Sequence, residues 1–188
     1  MDFFMNNIGV ILLILLLVFV FFWMISTYNQ LISLREFVRN AMGQISTQIE
    51  SRWDALQNMI EGTKQYAEYE AQTLESLTEQ RASLGKNAAV ADVNKDDQLF
   101  NQAMGQLFAV AESYPDLKAS QVYQETLKSV DRYEQQVRQS RMIYNDTVTK
   151  YNRIIQSVPS NIIATMFKFS QESYFETSDT KTEMPTWS

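Results

Sequence analysis

Ile8–Ile25 reads IGVILLILLLVFVFFWMI, a stretch of 18 residues with no charge and with Gly9 as its one small side chain. Wound as an α-helix it rises roughly 27 Å, at about 1.5 Å per residue, close to the thickness of a bilayer's hydrocarbon core. A core helix of this length in a soluble domain would show a polar face, and this stretch has none. A cleaved signal peptide would need a basic leader and a small-x-small cleavage site. The leader MDFFMNN holds no Lys or Arg, and the run ends on the bulky Phe22-Trp23-Met24-Ile25. The reading is an uncleaved transmembrane anchor over residues 1–27, with Trp23 and Tyr28 suited to the membrane–water interface. Its partner is the lipid bilayer. The flank before the run has no base, while Arg35 and Arg39 follow it. Positive flanking charge stays inside, so the N-terminus is expected outside and the remainder in the cytoplasm.

Beyond the anchor, only 5 Gly and 3 Pro in 188 residues leave few breaks, so the helices should be long. From Leu31 the apolar positions step by three and four through Leu34, Val38, Met42, Ile45, Ile49, Trp53, Leu56 and Ile60, an amphipathic stripe. A more mixed stripe continues through Thr63, Ala67, Glu70, Leu74, Leu77, Arg81 and Leu84. One helix from Leu31 to Leu84 would be about 80 Å long and would overhang its partners. A turn near Asp54 is therefore expected. Residues 85–97 lack periodicity and read as a loop. A short helix over 98–112 follows, ended by Tyr114-Pro115, because the residue before proline avoids the helical region. The last helix, 120–158, has a heptad-like seam: Tyr123, Leu127, Val130, Glu134, Val137, Arg141, Tyr144, Val148, Tyr151, Ile155 and Val158. The fold class is all-α, one N-terminal transmembrane helix and then an antiparallel four-helix bundle with long, coiled-coil-like helices over 28–169. A polar tail covers 170–188, with Tyr174-Phe175 and Trp187 as docking points in a loosely ordered stretch.

The chain has no Cys and no His, which removes disulfides, thiol nucleophiles and histidine chemistry. Di-metal carboxylate bundles rely on Glu-x-x-His pairs, so no metal ligand is assigned. A net charge of −6 is the wrong sign for a phosphate-binding surface, so no nucleic-acid partner is expected. Four charges stand on the seams: Glu70, Arg81, Glu134 and Arg141. A charge on a buried seam is costly unless paired, so these are expected to pair across the bundle and fix its register. Tyr144-Asn145 and Tyr151-Asn152 repeat at seven residues on the last helix, which points to interhelical hydrogen bonds. No catalytic residue and no cofactor follow from these residue types.

Pro159 breaks the last helix, and Ile162, Ile163, Met166, Phe167 and Phe169 then concentrate apolar surface. Packing over the bundle end is one reading and contact with a membrane surface the other. With a turn near Asp54 the helices run away from, toward, away from and toward the bilayer, which brings this segment to the membrane. Without that turn the segment would sit far from it.

Three blocks carry a family resemblance: YNQLISLREFVRNAMGQI at Tyr28–Ile45, AVAESYPDLKAS at Ala109–Ser120, and SRMIYNDTVTKYNRIIQSVPSNIIATMFKF at Ser140–Phe169. The chain resembles the LemA family of bacterial membrane proteins. That resemblance implies a single N-terminal span and an antiparallel helical bundle, and it carries no catalytic residue. The family pattern has proline where Gln57 stands here, and Phe-Gly-Phe where this chain has Phe167-Lys168-Phe169. One branch of the family is linked to magnetosome membranes, and other members to envelope stress and membrane proteases. The expected function is a non-enzymatic scaffold or adaptor at the bacterial cell (inner) membrane, partnered by other membrane proteins or by a second copy. The alternative is membrane shaping or lipid binding through residues 159–169.

Overall fold

The computed structural model describes residues 7–81 and 83–176. Over these the chain is all-α, and they hold no strand. Helix α1 spans Ile8–Thr63, α2 Glu68–Thr78, α3 Val90–Ser113, α4 Pro115–Ala119, α5 Gln121–Gln156 and α6 Ser160–Met166. Two compact units divide these elements. Among described residues, the first comprises 7–38 with Thr147–Glu172, and the second Arg39–Asp146 with 173–176. Both α1 and α5 contribute to each unit.

The chain does not turn near Asp54. α1 runs unbroken through Gln57, because Ile49, Trp53, Leu56 and Ile60 form one continuous buried stripe with no breaker in it. The break falls at Lys64–Tyr66, where the amides of Tyr66 and Ala67 both bond to the Thr63 carbonyl. The helix thus does break before Leu84, about ten residues later than Asp54. From Leu31 to Thr63, α1 measures about 50 Å, and α5 about 54 Å.

α3 begins at Val90, inside the stretch expected to be a loop. Its first turn is closed by Asp92, whose carboxylate accepts the Ala89 amide N–H at 3.0 Å, half of a capping box. Its end at Ser113 agrees with the signal of Pro115, which occupies the first position of α4. α5 stops at Gln156, and Val158, placed on the seam by its spacing, is 80% exposed.

The second unit packs α1, α2, α3 and α5 around Ile45, Trp53, Leu56, Ile60, Leu74, Val93, Phe100, Leu107 and Val137. α1 and α5 are antiparallel. Arg52 meets Glu134, and ten residues further along α1 a methyl group at Gly62 would meet Val122 at 3.3 Å.

The first unit gathers Leu31 and Val38 of α1, Val148 and Tyr151 of α5, and Ile163, Ala164 and Phe169 into its core. α6 ends in a Schellman arrangement. The Phe169 amide donates to the Ala164 carbonyl at 2.9 Å, and the Lys168 amide donates to that of Thr165 at 3.2 Å. Lys168 takes the left-handed position, φ 57°, a conformation that favours glycine. The turn is thus kept without the glycine, at a strain of about 1 kcal/mol for a side chain in that region. Lys168→Gly is expected to raise the stability of the full chain by about that amount, read from its thermal midpoint. A lowered midpoint would show that the lysine side chain makes up for the strain.

Candidate functional site

Arg52 is the centre of the second unit's polar interior. It is 2% exposed, and it sits one residue before the buried Trp53, so the helix carries its side chain inward. Its Nη1 donates to Glu134 at 2.7 Å, and its Nη2 to Asp97 at 3.1 Å and Asp96 at 3.3 Å. The guanidinium also lies 4.0 Å from the centroid of Phe100. Asp96 is buried too, and Trp53 Nε1 donates to it at 3.0–3.1 Å. Asp97 is shared, since Arg141 pairs with it from α5. Burial pushes the Asp96 carboxyl above its ordinary value. The Trp53 bond and Arg52 oppose that shift, and the charge of Asp97 adds to it. Three carboxylates thus converge from two helices on a cation that the chain itself supplies. No group of His, Cys, Asp or Glu side chains arranged to hold a metal ion occurs among the described residues.

The remaining seam charges sit elsewhere in the second unit. Glu70 accepts the Tyr114 hydroxyl at 3.0 Å, and Arg81 faces Asp54 at 3.6 Å in an exposed pair worth little. A cavity of about 730 Å³ lies beside the ion cluster, under the loop that follows α2. Leu84, Lys86, Asp92, Lys95, Asp96 and Leu99 are among the residues lining it.

The asparagines of the repeat bond to the extended segment that follows α6. In the second unit, Asn145 donates to the Phe175 carbonyl and accepts the Phe175 amide, both at 2.9 Å. Tyr144 donates to the Ser173 carbonyl at 3.2 Å, and Phe175 is buried against the Tyr144 ring, with Arg141 5.0 Å from its centroid. In the first unit, Asn152 holds Glu172 by the same two-bond ring, at 2.9 and 3.0 Å, while Tyr151 is buried. The primary amide copies a peptide group, so each Asn pairs with a backbone as a strand would. Seven helical residues rise about 10.5 Å, and an extended chain covers nearly that in the three residues from Glu172 to Phe175. Residues 170–176 are therefore fastened rather than loose, with Phe175 docked and Tyr174 exposed. Trp187 lies outside the described residues. Asn152→Ala removes both bonds to Glu172, each worth about 1 kcal/mol, so trypsin cleavage after Lys168 should speed up roughly thirtyfold. An unchanged rate would show that the segment is held by other means.

Of the apolar segment after Pro159, Ile163 and Phe169 are buried, whereas Ile162, Met166 and Phe167 are exposed. Tyr28 packs its ring on Phe167 at 4.7 Å and on Phe169 at 5.8 Å, and Arg35 lies 5.2 Å from the Phe169 centroid. The segment thus meets α1 three residues past Ile25, although the turn near Asp54 that was to bring it there does not exist. Within α1, the protein covers none of the most apolar 18-residue window, which is long and apolar enough to cross a membrane.

These features define an all-α protein whose first helix is fit to anchor it in a membrane and whose ionisable seam pairs helix with helix. The chain belongs to the LemA family, whose model matches residues 41–188. It is similar to Protein LemA of Metamycoplasma hominis, 25% identical over 175 residues that cover 90% of this chain and 78% of that one. It is also similar to the magnetosome proteins MamQ 1 and MamQ 2 of Paramagnetospirillum magneticum. Each is 31% identical over 77 residues, covering 41% of this chain and 28% of the relative.

Arg52, Asp96, Asp97 and Trp53 were not legible as a site. Asp96 and Asp97 fell in the supposed loop, and Trp53 counted only as stripe. One signal was available. Reading the α3 stripe backward from Leu107 through Ala103 and Phe100 gives Asp96 and then Val93, an acid alone on an apolar face.

Proposed function

We propose that the chain is a membrane-anchored, non-enzymatic scaffold or adaptor of the bacterial envelope, acting through protein–protein contacts or self-assembly. One observation carries this reading: the ionisable side chains of the interior are occupied with one another, Arg52 alone engaging Glu134, Asp96 and Asp97. A general acid or base needs a group free to exchange its proton with a substrate, and a side chain cross-linking two helices is poorly placed for that. The paired charges instead favour one rigid arrangement of α1, α3 and α5, which suits a platform that others bind. Exposed apolar side chains such as Phe108 and Met142 offer contact points on it. Purification of the full chain in mild detergent after cross-linking of intact membranes should return oligomers or specific co-purifying membrane proteins. A lone monomer after cross-linking would overturn the reading.

The same proposal sets the N-terminus outside and the bundle in the cytoplasm of the inner membrane, supported by Arg35 and Arg39 after the apolar run. The chain is free of cysteine, so Ser83→Cys introduces a single exposed thiol. In intact cells that thiol should resist an impermeant maleimide, and it should react once the membrane is opened. Labelling of intact cells would reverse the orientation.

A further inference from the structure

The side chains of Val158, Ile162, Met166 and Phe167 leave apolar surface exposed among the described residues, and the geometry of the first unit limits what can cover it. We propose that they rest in the interfacial layer of the bilayer that α1 crosses, on an anionic leaflet. The proposal rests on reading the apolar run of α1 as a membrane span.

Depth is the first argument. Ile25 and Tyr28 belong to one unbroken helix, so Tyr28 stands only about 4.5 Å beyond the end of the apolar run along the helix axis. Phe167 packs 4.7 Å from the Tyr28 ring. Covalent continuity therefore holds Phe167 at roughly the depth of the headgroup region, a layer some 5–7 Å thick on each side of the hydrocarbon. Aromatic side chains favour that layer, and Trp23, Tyr28 and Phe167 follow one another into it.

Facing is the second. Ile162 and Met166 are four residues apart on α6 and share a face, with exposures of 62% and 55%, while Ile163 and Ala164 turn into the core. The helix is amphipathic, and its outer face is apolar and exposed among the described residues. A protein partner would need about 800 Å² per side for a stable interface, more than four partly exposed side chains supply.

Charge is the third. The chain as a whole is acidic, net −6. Past the apolar run, however, the first unit has Arg35, Lys150, Arg153 and Lys168 against only Glu36 and Glu172. A locally basic unit in an acidic protein is the pattern that an anionic lipid surface attracts.

The test uses the full chain, reconstituted into vesicles of phosphatidylethanolamine and phosphatidylglycerol. Nitroxide labels are placed singly through Ile162→Cys, Met166→Cys, Leu16→Cys in the apolar run and Gln139→Cys on an exposed part of α5. Collisions with oxygen, which concentrates in lipid, are compared with those of a water-soluble nickel chelate. Labels at 162 and 166 should lose nickel accessibility and keep oxygen accessibility, reading between those at 16 and 139. A ratio at 162 and 166 equal to that at 139, with 16 still deep, overturns the interfacial contact and leaves the anchor standing. Exclusion of both reagents at 162 and 166 also overturns it, since a second copy or a protein partner would then cover the face. A label at 16 that reads as aqueous would overturn the span and the contact together. An aqueous reading at 162 and 166, or at 16, leaves the cross-linking result untouched, so the scaffold reading is judged separately.

Discussion

Arg52→Met is expected to destabilise the second unit by about 3–5 kcal/mol, the usual range when one member of a buried ion cluster is removed. Methionine keeps the length and most of the volume of the arginine stem, so packing against Phe100 survives and the loss is electrostatic. Asp96 stays buried, with Asp97 beside it and Glu134 across from it, and Arg141 still pairs with Asp97. For a chain of this length the thermal midpoint should fall by about 10 °C, followed by circular dichroism of the full chain in detergent. Arg52→Lys should recover only part of the loss, because a single ammonium cannot present the planar fork that reaches three carboxylates on two helices. Adding Asp96→Asn and Glu134→Gln to the Met variant should restore stability by relieving the stranded charges. A Met variant within about 0.5 kcal/mol of the parent would show that the cluster is solvated and contributes little.

The same physics ties the cluster to the proposed function as well as to stability. A well-packed apolar replacement of a buried ion cluster can be as stable or more so. Arg52 can satisfy Glu134, Asp96 and Asp97 together only in one register of α1 against α3 and α5, whereas an apolar seam would tolerate sliding. In a protein read as a platform for partners, that restriction keeps the outer faces in a fixed relation within the unit.

The sequence made the stripes legible and the polar partnerships much less so. Ile45, Ile49, Trp53, Leu56 and Ile60 are all buried as their spacing requires, because a helical period is written in consecutive residues. Where the long stripe breaks is not local information. Gly62 and the polar Lys64-Gln65 were visible, but so were equally weak signals near Asp54, and packing decided between them. Partner choice is harder still. Glu134 and Arg141 could be named as charges needing partners, while their partners Arg52 and Asp97 are 82 and 44 residues away. The Tyr-Asn repeat was visible for the same reason as the stripes. Its use was not, because the groups it binds are backbone atoms of an extended segment, which leave no mark on side-chain spacing.

Trp53 permits the finest separation of packing from charge. Trp53→Ala removes a ring that is 1% exposed and stands edge-on to Phe100 at 5.1 Å, and it should cost about 3–5 kcal/mol. Trp53→Phe keeps most of that apolar surface but deletes the N–H that both oxygens of Asp96 accept, a loss of about 1–3 kcal/mol. The two variants should also differ from the parent in a pH-dependent way. Because burial already raises the Asp96 carboxyl, the folded parent binds this proton more readily than the unfolded chain. The group's contribution to stability is therefore full in acid and is lost as pH rises through the native value. The Trp53 bond favours the ionised form, so removing it pushes the native value higher still and prolongs that loss. The stability gap between parent and Trp53→Phe should accordingly widen as pH rises above the ordinary carboxylate range, whereas a packing defect alone would give a constant gap. Urea titrations of the full chain at several pH values measure this directly. A gap that is flat across the range would mean that the indole and Asp96 are not coupled.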